Sequence, residues 1–204
     1  KSPFILVVHP SLPVKSARDL VDFAKARPGQ LSYSSPSGAG APRLASELFI
    51  QTFGLAITHV PYKNSPQSIS DIAAGHVQLG FVEAGASKHL IQAKRLRPLA
   101  VSSLTRFESL PDVPTLAEAT ARPGLEAVSR HALIAISSTP RPVINRLHVE
   151  MTRIMKIPEV RERVANIGLI PIHPFAIEAG QQYVASETKK WGDLIRSLGL
   201  AGSL

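Results

Sequence analysis

Short apolar runs alternate with helix-patterned stretches from residue 4 to residue 103, and that alternation restricts the fold more than any other feature. FILVVH (4–9), LSYS (31–34), AITHVPY (56–62), VQLGFV (77–82) and RPLAVSS (97–103) have the length and composition of strands. The first is apolar throughout, as expected of a strand covered on both faces. Between these runs, Ser16-Ala17-Arg18-Asp19 reads as a capping box with Asp in place of Glu, and Leu20, Val21 and Ala24 form an apolar face closed by Pro28-Gly29. Further helices are predicted over Pro42–Phe53, ended by Gly54, over SPQSISDIAAG (65–75) and over ASKHLIQAKR (86–95). Strands and helices spaced in this way build βαβ units, so the fold class is α/β with a mainly parallel sheet.

Beyond this the texture changes. Thr115-Leu116-Ala117-Glu118 caps a small helix, and the stretch GLEAVSRHALIAIS (124–137) is expected to end in the strand ALIAIS. Thr139-Pro140 then opens a helix with Val143, Ile144, Leu147, Met151 and Ile154 on one face. PEVRERVANIG (158–168) is a second helix and LIPIH (169–173) a strand-like run. A last long helix turns Ile177, Val184, Trp191, Leu194, Ile195 and Leu198 inward. This tail carries little sheet of its own, so most of its packing partner is expected elsewhere. The chain opens without Met inside an apolar run, and upstream sequence is expected to precede it.

Composition removes several function classes. The formal net charge is +8, yet the basic residues are scattered, aromatics make up 5%, and no zinc-ligand pattern accompanies them, which argues against nucleic acid. An anionic small molecule would need only a few of these cations. With no cysteine there is no disulfide, thiolate metal site or cysteine nucleophile. No apolar run approaches the ~20 residues of a bilayer span. Neither a Gly-x-Ser-x-Gly elbow nor a His-Glu-x-x-His pair occurs, so catalysis and a metal are not expected. His59, His76 and His148 read as structural.

The most suggestive stretch is SSPSGAGAP (34–42), which leads straight into a helix. The first amides of a helix lack internal partners and carry partial positive charge, so small residues there invite an anion. The alternative is an ordinary flexible turn. Ser35, Ser37, Gly38 and the flanking Arg43, whose guanidinium can fork onto a carboxylate, favour the anion. The spacing fits neither a P-loop nor a dinucleotide fingerprint. Lys63 and Ser65 stand at a second strand-to-helix junction. Glu83 at a third could accept from a ligand amine or hydroxyl, or balance a local cation. Junctions of one parallel sheet share an edge, where ligands bind. Arg130 and His131 are weaker candidates, facing a cleft only if the strand after them returns to it.

Taken in order, SPFILVVHPSLPVKSARDLVDFAKARPGQLSYSSPSGAGAPRLASELF, ITHVPYK, AAGHVQLGF, SLPDVPTLAEA and STPRPVINRLHVEM resemble the solute receptors of tripartite tricarboxylate transporters, the Bug receptors, over nearly the whole chain. The resemblance implies a periplasmic-binding-protein-like architecture of two α/β lobes. Residues 2–126 would be one nearly complete lobe and 127–204 a crossover strand with the helical part of the other. It also implies a periplasmic, non-catalytic receptor that needs no cofactor, captures a small di- or tricarboxylate or related acid, and hands it to a membrane permease.

The ligand-facing motifs depart from the family pattern. Pro36 and Ser37 intrude in the glycine turn, and Arg43 stands where His is common. Asn64 and Pro66 replace glycines, Val82-Glu83 replaces Asp-Asn, and Arg130-His131-Ala132 replaces an aromatic pair and Gly. These exchanges imply a more highly charged anion or a site that has lost its ligand. Other classes of reading are the effector domain of a transcriptional regulator and a non-binding remnant.

Overall fold

The structure, a computed structural model, describes residues 1–36 and 40–201. β1 (Ser2–Val8) is followed by α1 (Ala17–Ala26), β2 (Leu31–Pro36), α2 (Ala41–Phe53), β3 (Ile57–Tyr62), α3 (Ser65–Ala74), β4 (Leu79–Glu83), α4 (Ala84–Gln92), β5 (Arg97–Val101) and α5 (Leu116–Thr120). The tail adds β6 (Val128–Ser129), α6 (Arg141–Ile154), α7 (Pro158–Asn166) and α8 (Ile177–Ser197).

The sheet runs β3-β2-β4-β1-β5, with β6 joined to the start of β1. β2 pairs in parallel with β3 and β4, whereas β1 lies between β4 and β5 and is antiparallel to both. The expected mainly parallel sheet is present, threaded by one reversed central strand. Side chains of β1 alternate between two cores. Phe4, Leu6 and Val8 join Leu20, Tyr33, Phe49, Phe81 and Leu116 on the face covered by α1, α2 and α5. Ile5 and Val7 join Ile69, Ile72, Val82 and Leu96 on the face covered by α3 and α4. Each of these buried aliphatic side chains is worth about 1.5–3 kcal/mol, so β1 belongs inside the sheet with a strand on either side.

The helix starts follow their sequence signals. Ser16 Oγ accepts from Asp19 N at 3.0 Å, and Asp19 Oδ2 accepts from the backbone of Lys15 and Ser16. Those hydrogen bonds, Lys15 first, hold the Asp19 pKa below its ordinary value. Thr115 and Glu118 make the same reciprocal cap for α5. Gly54, at φ +61°, ends α2 in the left-handed region.

The tail differs from the sequence expectation in two places. ALIAIS forms no strand; only Val128–Ser129 pairs, with Ser2 and Pro3. Leu133, Ile134 and Ile136 stand 66%, 86% and 75% exposed, because a strand needs a neighbour and the described residues supply none there. LIPIH is likewise irregular, although Ile170 packs against the second core and its amide donates to the Lys1 carbonyl at 2.8 Å. The three tail helices form as predicted, but α6 and α7 bury no residue and α8 buries only Leu194. Trp191 packs on the first core, while Val143, Leu147 and Val184 remain exposed. No helix of the described residues is long and apolar enough to cross a membrane.

Candidate functional site

Because β2, β3 and β4 are parallel neighbours, their C-terminal ends lie side by side. Pro36 is in register with Tyr62, and Ser34 with Gly80. With strands about 4.8 Å apart, the turns into α2, α3 and α4 therefore share one edge of the sheet. α3 is capped from within, Asn64 Oδ1 accepting from Gln67 N at 2.9 Å. By contrast α2, which follows Gly40, and α4, which follows Glu83, start without a side-chain cap. Two dipole ends on this edge are thus left to be met by something other than their own capping side chains. Pro42 near the start of α2 has no N–H to offer, which leaves the amides on either side of it as donors.

The expected first-junction residues are placed unequally. Ser37 and Gly38 lie outside the described residues. Ser35 is fully buried, and its hydroxyl shares a 2.8 Å hydrogen bond with His59 Nε2. The His59 ring packs against that of Tyr33, its register partner, with centroids 4.9 Å apart. Tyr33 in turn donates to Glu47 Oε1 at 2.6 Å, and the same oxygen lies 3.7 Å from Arg43 Nε. A chain of polar groups therefore runs beneath the start of α2, from Ser35 through His59 and Tyr33 to Glu47 and Arg43. Burial, joined by the Arg43 charge and opposed by Glu47, holds the His59 pKa below the ordinary histidine value, so the ring is neutral at neutral pH. Burial and the Glu47 hydrogen bond push the Tyr33 phenol upward.

His59, Tyr33 and Glu47 were not among the expected site residues. The alternation in LSYSSP places Tyr33 and Ser35 on one face, but which strand lies beside them cannot be read from that segment. In the sheet His59 is opposite Tyr33 and diagonal to Ser35, close enough for contact.

At the second and third junctions the structure brings two expected residues together. Ser65 Oγ, at the start of α3, donates to Glu83 Oε1 at 3.3 Å, and Glu83 immediately precedes α4. Lys63 is exposed on the turn between β3 and α3. The tail also reaches this edge. The turn at Gly168 sits so close to Gly85 that a Cβ on Gly168 would lie 2.6 Å from the Gly85 nitrogen.

Arg130 does not stand free in a cleft. Its guanidinium lies 4.2 Å from the Tyr183 ring centroid and 5.1 Å from that of Phe175, with a buried Nε that has no hydrogen-bond partner. Such stacking is worth about 0.5–2 kcal/mol and pins α8 to the end of β6. His131 is exposed and immediately precedes the unpaired ALIAIS segment, so the strand expected to return it toward a cleft is not formed.

An open cavity of about 540 Å³ lies elsewhere, between the Glu108–Ser109 turn and Pro158, Arg161, Glu162 and Asn166 of α7. It mixes two acids with one arginine and includes none of the expected site residues. The chemistry of the sheet edge, rather than the size of this gap, locates the candidate site.

Residues 1–200 match the sequence profile of the tripartite tricarboxylate transporter family receptors. The chain belongs to that family. Its α/β architecture is accordingly of the periplasmic-binding-protein type. A protein of the tcbD-tcbE intergenic region of Pseudomonas sp. is 35% identical over 193 residues, covering 95% of this chain and 57% of that one. BugT of Bordetella pertussis is 29% identical over 197 residues, covering 97% and 60%. Among solved structures, an R. palustris protein with adipate shares 33% identity and superposes with a TM-score of 0.81, covering 97% of this chain and 66% of that one. The chain thus spans less than two thirds of the length of each of these family members.

Proposed function

We propose that this chain is the ligand-holding part of an extracytoplasmic receptor that captures a small organic acid for a tripartite tricarboxylate-type permease. The carboxylate would sit on the amides that open α2, beside Arg43, with Lys63, Ser65 and Glu83 along the neighbouring junctions. Residues 2–126 would form one lobe. Residues 127–204 would belong to the second. The work is binding and release rather than catalysis, and the compartment is the periplasm. The observation that carries this reading is the convergence of three parallel strand-to-helix turns on one edge, two of them opening uncapped helices, in a chain of this receptor family.

Thermal-shift measurements against mono-, di- and tricarboxylates, their half-amides and amino acids test it. At a hundred times Kd a ligand adds about 2.7 kcal/mol, which for a chain of this size raises Tm by roughly 5–10 °C. At least one compound is expected to do so. No shift with any of them would contradict the proposal.

A further inference from the structure

Glu83 holds the inner part of the candidate site. It is partly buried, it immediately precedes α4, and it accepts from Ser65 at the first position of α3. Its carboxylate therefore stands where the two helix starts make negative charge most favourable. Among the described residues no cation lies within ion-pair distance of it; Lys88, five residues on along α4, and Lys63, on the turn before α3, are both exposed. In the sheet Ser34 is opposite Gly80, so continuing the register brings Pro36, the last residue of β2, beside Val82, with Glu83 next along the same edge. A small acid bound on the α2 amides would thus extend its far end toward a fixed negative charge. A second carboxylate there would meet a like charge and compete for dipole ends already occupied. An N–H donor would meet an acceptor with lone pairs to spare, since Ser65 uses only one of the Glu83 oxygens.

We propose that Glu83 is the specificity-determining residue of this site, and that it selects a monocarboxylate bearing a nitrogen donor at its far end over a dicarboxylate of the same length. This rests on the organic-acid reading above, and it reverses the expectation that the departures from the family pattern favour a more highly charged anion.

Calorimetric titration of the chain with three six-carbon compounds tests it: adipate, adipamate, in which one carboxylate becomes a carboxamide, and 6-aminohexanoate, in which the far group is an ammonium. At least one donor-bearing compound is expected to bind tenfold or more tightly than adipate, and the comparison of the two identifies which donor is preferred. In Glu83→Gln, which keeps an acceptor for Ser65 but removes the charge and adds N–H donors, the preference is expected to fall within threefold or invert toward adipate. If wild-type chain binds adipate as tightly as the other two, or if Glu83→Gln leaves the ratio unchanged, the specificity proposal is overturned while the organic-acid reading stands. If none of the three binds, the specificity proposal is overturned, and if no other organic acid binds either, the organic-acid reading falls with it. The wild-type comparison decides the matter even if the variant fails to fold.

Discussion

Arg43→Glu is expected to weaken binding of the best organic acid by at least about a hundredfold, measured on variant shown to be folded. Residue 43 lies in the first turn of α2, at the edge where three junctions meet. The substitution changes the local charge by two units. For a ligand carboxylate about 6 Å away at an effective dielectric near 20, each unit is worth roughly 3 kcal/mol, and each 1.4 kcal/mol is tenfold in affinity. The new glutamate would also face Glu47, one helical turn on and already bound by the Tyr33 hydroxyl. Because the Arg43 and Glu47 side chains are only 17% and 13% exposed, the two carboxylates would be held close together away from water, and the melting temperature is expected to fall as well. Calorimetry on folded variant checks the effect. A Kd within threefold of wild type would remove Arg43 from the site.

Gly168→Ala is expected to release the tail from the sheet edge without unfolding the sheet. Gly168 has φ +89°, outside the conformations that side-chain-bearing residues readily adopt. An added Cβ would also lie 2.6 Å from the Gly85 nitrogen and 2.9 Å from its Cα, and backbone cannot step aside as a flexible side chain can. Together these cost several kcal/mol. The turn has little with which to resist, since α7 buries no residue and Ile170 is its main apolar anchor. Hydrogen exchange reads the result directly. Protection of the Ile170 amide, which donates to Lys1 O, should fall tenfold or more while that of the β1 amides is unchanged. Unaltered protection at Ile170 would show that the turn tolerates the Cβ by another route.

These expectations also show how far the chain could be read before its structure. Local signals were legible. The Ser16–Asp19 and Thr115–Glu118 boxes and the Gly54 stop act within a few residues, and all three lie where their sequence places them. The apolar run at Phe4–Val8 announced a buried strand, but not its reversed direction between β4 and β5, because pairing is a property of distant segments. ALIAIS has the composition of a strand, yet composition does not provide a partner, and these residues stand exposed. The same limit applies at the site. Ser35, Ser65, Arg43 and Glu83 were visible as chemistry at strand ends. The Ser35–His59 bond and the Ser65–Glu83 bond join different strands and helices, and only the sheet register brings them together.

The most direct measurement is amide chemical-shift mapping of the isotope-labelled chain during titration with the tightest-binding organic acid. The largest perturbations are expected on the adjoining turns at residues 40–43, 63–65 and 83–85, where backbone N–H groups open α2, α3 and α4. Perturbations confined to the Glu108 and Arg161 gap beside α7, with the three turns silent, would contradict the account.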